Sequence, residues 1–140
     1  MGYTFIDHTA DVAADLSGRS PAELFTAAAQ ALTDTITDLS AVQPAVTQSV
    51  TLDSDALDDL LVDWLNELLY RFEVQNMLVS DASVTLRDDR GRWHLAATIA
   101  GDAFDPAKHA ARVLVKSATY HGLHIVHEQG TWRARIVFDI

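Results

Sequence analysis

The sequence has no cysteine, which excludes a disulfide framework and any thiolate chemistry. It is also short of positive charge: ten Lys and Arg against twenty Asp and Glu leave a formal net charge of −10. Such a surface repels polyphosphate, so direct strong nucleic-acid binding is not expected. No apolar run approaches the roughly 20 residues needed to span a bilayer, and the start Met1-Gly2-Tyr3-Thr4-Phe5-Ile6-Asp7 lacks the basic then apolar character of a secretory leader. Ile6 stands where a myristoylation motif would need Ser or Thr. There is no Gly-rich phosphate loop, no G-x-S-x-G elbow, no Cys/His zinc spacing, and no internal linker, low-complexity stretch or repeat. These absences point to a soluble, cytoplasmic protein without membrane association.

What is present is ordinary globular material. A length of 140 residues with 49% hydrophobic and 21% charged side chains suits a single domain over 1–140. Tyr3 to Ile6 reads as a short strand, and Val12, Ala14 and Leu16 resume alternation after a polar break. Ser20-Pro21-Ala22-Glu23 announces a helix through an N-cap, a proline at the first position and a capping-box glutamate. Its apolar stripe is Phe25, Ala28, Ala29, Leu32 and Ile36. Val46 to Leu52 alternates like a strand, and Asp55 is the expected cap of a second helix. In that helix Leu57, Leu60, Leu61, Trp64, Leu65, Leu68 and Phe72 recur at helical spacing, which makes it the expected main pillar of the core. From Met77 onward the period becomes two, with Val84–Leu86, Trp93–Leu95, Val113–Val115 and Ile136–Phe138 as strands of a β-meander and turns at Asp88–Gly91 and Glu128–Gly130. Helices and strands are segregated, so the expected class is α+β: two amphipathic helices packed on largely antiparallel sheet.

The last residues carry the most chemistry. Trp132, Ala134, Ile136, Phe138 and Ile140 share one parity, the pattern of a half-buried strand that would hold Asp139 beside the α-carboxylate of Ile140. Two adjacent anions could face a hard divalent cation or a cationic partner; the plainer reading is a surface strand whose Asp139 pairs with an arginine. Asp7, His8 and Asp11 lie in a polar loop, Asp38 follows the first helix, and Lys116 sits on an expected strand. Taken singly, each reads as a turn acid or a surface lysine. His121, His124 and His127 are three residues apart, but in strand-like sequence His124 would point away from the other two, which argues against zinc. Arg87, Arg90, Arg92, Lys108, Arg112, Lys116, Arg133 and Arg135 all fall in the second half and leave room for one local positive face.

Four segments in order, His8-Thr9-Ala10-Asp11-Val12, Leu61 to Tyr70, Val115-Lys116-Ser117-Ala118-Thr119-Tyr120-His121 and Val137-Phe138-Asp139-Ile140, together resemble the archease family over nearly the whole chain. Ala13-Ala14-Asp15 and Gly101-Asp102 depart from its usual residues. The resemblance implies a non-enzymatic accessory protein of the RtcB-type RNA ligase, which joins RNA ends bearing a 2′,3′-cyclic phosphate or 3′-phosphate to a 5′-hydroxyl in tRNA splicing and RNA repair. It further implies promotion of guanylylation of the ligase histidine, restored turnover, and a divalent cation (Ca²⁺, Mg²⁺ or Mn²⁺) bound through acidic residues. Carried onto this sequence, the ligands are Asp11, Asp38, Asp139 and the Ile140 carboxylate, with Lys116 and His8 serving partner activation. A general chaperone, a modulator of a tRNA methyltransferase and a self-contained metal-dependent hydrolase are the competing readings.

Overall fold

The computed structural model describes residues 1–6 and 11–140; Asp7 and His8, with Thr9 and Ala10, lie outside the described residues. The chain runs β1 (Gly2–Ile6), β2 (Asp11–Gly18), α1 (Pro21–Ile36), a short 3₁₀ turn (Leu39–Ala41), β3 (Val46–Ser54), α2 (Leu57–Gln75), β4 (Met77–Asp89), β5 (Arg92–Ala103), β6 (Ser117–Thr119), β7 (Val126–Glu128) and β8 (Thr131–Asp139). Every strand pairing is antiparallel. The expected α+β class is what the chain adopts.

The second half is not one meander. Its strands divide between two sheets, one of five strands in the order β1-β2-β8-β6 with β7 also on β8, the other of three in the order β3-β5-β4. Alternation marks which faces are apolar but not which strand is a neighbour. Val113–Val115 is not a strand either. That stretch is irregular, and just before it the Arg112 N–H goes to the Ile36 carbonyl at the end of α1, 2.8 Å away, a helix-terminus partner rather than a ladder one. Its in-and-out pattern persists, with Val115 buried and Leu114 exposed.

Helix α1 starts as its sequence dictates, with the Ser20 hydroxyl accepting from Glu23 N at 3.2 Å. Glu23 reaches back one residue further than a capping box requires, taking the Arg19 N–H at 2.9 Å. This helix lies against both sheets and is the more deeply embedded of the two, with 11 of 16 residues buried against 7 of 19 in α2. Alanines 27, 28, 29 and 31 allow the close approach, and the buried Thr26 and Thr33 donate to carbonyls of β4, Ala82 at 3.1 Å and Val79 at 2.6 Å. Helix α2 opens on Ala56 without a side-chain cap; Asp55 is instead bound by Arg92 at 2.6 Å. The charge-assisted bond to a guanidinium outcompetes the local capping role. Trp64 ties the helices together, its ring fully buried and its indole N–H donating to Phe25 O at 2.9 Å.

The core fills the space between these layers, from Leu16, Phe25 and Leu32 through Leu61 and Leu65 to Ile99, Ile136 and Phe138. Burying each such side chain contributes roughly 1.5–3 kcal/mol. The first strand is also pinned by a polar contact: the Tyr3 hydroxyl donates to Asp34 Oδ2 at 2.9 Å, and burial together with this carboxylate pushes the phenol up to about 12. The core anchors β8 along its whole length, and β8 carries the candidate site.

Candidate functional site

Strand β8 is central to its sheet, with β2 on one edge and β6 and β7 sharing the other. Along the pairs Val12–Phe138–Ala118 the apolar parity faces the core; one residue on, Asp11, Asp139 and Ser117 stand opposite one another. Directly opposed residues of antiparallel strands carry their side chains on the same face about 4.5–5.5 Å apart at Cβ, and like charges so placed destabilise the sheet. An aspartate from each end of the sequence is thus brought to one spot. Asp139 is exposed, and Ile140 beyond it is 37% exposed. The plainer reading, an arginine pair for Asp139, does not hold among the described residues: Arg135 of the same strand is taken by Asp15, at 2.8 and 3.2 Å.

Lys116 lies just before β6 rather than on a strand, and its N–H donates to the Asp139 carbonyl at 2.8 Å. Ser117 is the register partner of the same Asp139. Two residues therefore face one, the arrangement of a β-bulge, which re-aims side chains. Burial agrees: Val115 and Ala118, three apart, are both in the core, whereas strict alternation would send Lys116 inward with Ala118. Lys116 is exposed, with its backbone N–H on the Asp139 carbonyl.

Asn66 of α2 braces this bulge. Its Oδ1 accepts from Ala118 N at 2.8 Å and its Nδ2 donates to Ala118 O at 3.3 Å, replacing the neighbour strand that β6 lacks on that side. On the helical wheel it reads only as a polar-face residue, and nothing in the spacing signals its partner. Asn66→Ala is expected to cost about 1–3 kcal/mol, the desolvation of two unpaired backbone groups. It should also speed hydrogen exchange at Ala118 N–H more than in the middle of β8; equal protection in mutant and wild type would refute the bracing role.

Asp38 belongs to a different network. It caps the 3₁₀ turn, its Oδ1 accepting from Ser40 Oγ at 2.7 Å and Ser40 N at 3.0 Å, and these bonds hold its carboxyl below the usual range. Its other oxygen is 4.0 Å from Arg112, whose guanidinium also donates to Asp34 O at 2.9 Å. His8, expected to serve partner activation, is outside the described residues. Among the described residues no three His, Asp or Glu side chains are grouped closely enough to cage a metal ion. His127 is stacked on Trp132 at 4.3 Å between centroids, so the histidine triplet does not converge.

The donor chemistry of the Asp11–Asp139 spot is oxygen only, which suits a hard cation rather than zinc. With no cysteine in the chain, the spot has no thiol nucleophile to offer. The model of the Archease protein family matches residues 3–140. The chain belongs to the archease family. It is 38% identical to the protein archease of Methanopyrus kandleri, covering all of both chains. Its fold is similar to the solution structure of Methanobacterium thermoautotrophicum protein 1598, with a TM-score of 0.82 and 31% identity over 99% of each chain. It is also similar, in fold, to a Thermotoga maritima crystal structure described as an archease, possible chaperone, at a TM-score of 0.60 and 17% identity over 96% of this chain and 94% of that one. In archease terms, the H-T-A-D aspartate and the aspartate of the final strand are here a cross-strand pair. No helix among the described residues is long and apolar enough to cross a membrane.

Proposed function

We propose that this protein is a cytoplasmic, non-catalytic activator of an RtcB-type RNA ligase, promoting guanylylation of the ligase histidine and multiple turnover in tRNA splicing and RNA repair. Archease membership supports the reading, and the single observation that carries it is the Asp11–Asp139 pair flanked by Lys116 at the exposed end of β8. Asp11, Asp139 and the carboxylate of Ile140 are the oxygens that would hold a divalent cation, Ca²⁺, Mg²⁺ or Mn²⁺. Such a cation takes six or more oxygens, so water or partner groups complete the shell. Asp38 joins only by exchanging the Ser40 donors and the Arg112 guanidinium for the cation, which makes it the weakest of the four ligands. A bound cation would supply localised positive charge for phosphate oxygens.

The chain's own residues do the rest. Asp139 and Asp11 define the anionic tip, the exposed Lys116 ammonium would meet the same phosphate, and Asn66 keeps the bulge in place. This is positioning rather than covalent chemistry. The test is RNA ligation by the cognate ligase under multiple-turnover conditions with GTP and Mn²⁺. Stimulation by substoichiometric protein is expected, and its absence overturns the reading. Turnover of a substrate with no ligase present would favour a hydrolase. Exposed Leu114 and Tyr120, 73% and 54% accessible, are the features a chaperone would use; aggregation suppression independent of Asp139 would favour that role.

A further inference from the structure

The outer face of the five-stranded sheet continues past the acidic tip. Moving back along β8, the next row on that face is Ala13–Val137–Thr119, then Thr4–Asp15–Arg135, then Gly2–Ser17–Arg133–Val126. The last two rows line a concavity of about 630 Å³, with His124 and Thr131 at its border. That volume is in the range of small-ligand sites. In a chain with a net charge of −10, this hollow gathers two arginines, a histidine and several hydroxyls around a single acid.

That acid is not a competitor for an anion. Asp15 is held by Nε and one terminal nitrogen of Arg135, which uses two of the five guanidinium N–H donors and leaves three. The pair fixes the plane of the guanidinium, so little further entropy is lost when an anion docks on the free edge. Arg133, two residues along on the same face, is exposed and forms no ion pair among the described residues. A protein partner would need aromatic or aliphatic anchors. Apart from Val126, the side chains that these two rows present on the face are polar or absent.

We propose that this hollow binds a phosphate-bearing ligand, held by Arg133 and the free edge of Arg135 with Ser17 and Thr4 hydroxyls as further donors. Guanidinium forks and hydroxyls match phosphate oxygens in both geometry and charge. The phosphate is either that of a free nucleotide or that of an RNA end. Arg135 and Asp139 are four positions apart on β8, about 13 Å at strand rise, with the buried Ala13 and Val137 between them. The site is independent of the ligase reading, since binding is measured on this protein alone.

The test is an NMR and calorimetric titration of the full chain with inorganic tripolyphosphate, then GTP, then a short single-stranded RNA ending in 3′-phosphate or 3′-hydroxyl. Expected are saturable shifts at Thr4, Ser17 and Arg133, and a loss of affinity of about tenfold or more in Arg133→Glu, with Arg133→Gln intermediate. Position 133 is exposed, so both variants should fold, and their unchanged spectra elsewhere check this. Tighter binding of RNA than of GTP assigns the phosphate to an RNA end; the reverse assigns it to a nucleotide. No saturable shift up to millimolar tripolyphosphate, equal binding by Arg133→Glu, or preference for polyglutamate over all phosphates overturns the proposal.

Discussion

Asp139→Ala is expected to abolish ligase stimulation while the melting temperature stays within a few degrees of wild type. The side chain is exposed at the end of β8 and packs against no part of the core, so its removal belongs with surface substitutions worth about ±0.5 kcal/mol. Relief of repulsion from Asp11, its register partner, even favours the fold. Function is affected quite differently. Loss of a supporting residue already costs about 10–100-fold in metal affinity, and a direct ligand costs at least as much. Calorimetric titration with Ca²⁺ and Mn²⁺, run beside the ligation assay, reads the two effects separately. Asp38→Ala should fall well short of this loss, because its carboxylate is already committed to Ser40 and lies near Arg112. Full activation by a folded Asp139→Ala protein would sink the assignment of the tip.

The largest stability effect is expected at Trp64→Ala. The ring is fully buried between α1, α2 and the sheets, and its truncation leaves a cavity in addition to the lost transfer energy, together about 3–5 kcal/mol. For a chain of this size that is a fall in melting temperature of about 10 °C or more. Trp64→Phe separates the contributions. It keeps most of the apolar volume and loses only the 2.9 Å bond to the Phe25 carbonyl, so a cost nearer 1 kcal/mol is expected. Thermal and denaturant melts of both variants check this, and a Trp64→Ala protein that melts like wild type would show that the core does not depend on this contact.

Both residues could be singled out in the sequence, for different reasons. Trp64 falls on a stripe of seven apolar residues at helical spacing, and Asp139 ends an alternating strand; each is a local pattern. Local patterns also marked α1, because Ser20, Pro21 and Glu23 act within one turn of the backbone they cap. They misled where a distant group won. Asp55 has the right chemistry for a cap, yet Arg92 approaches it from another strand at 2.6 Å. The stripe of α1 suggested one buried side, whereas Thr26, Thr33 and the neighbouring alanines are buried as well, because this helix lies against two sheets. The period-two run from Met77 announced strands but could not say that β4 and β5 join β3 while β6, β7 and β8 join β1 and β2.

By itself the sequence determined the secondary-structure classes, the acidic balance, the absence of thiol chemistry and, through four ordered motifs, the family. Those depend on residue type and near-neighbour spacing. Tertiary structure alone decided that Asp11 and Asp139 face each other, that Lys116 is exposed at a bulge, that Asn66 braces that bulge, and that Asp38 sits with Ser40 and Arg112. These outcomes follow from sheet register and from competition for hydrogen-bond partners. Neither is set until the hydrophobic faces of distant segments have packed against one another.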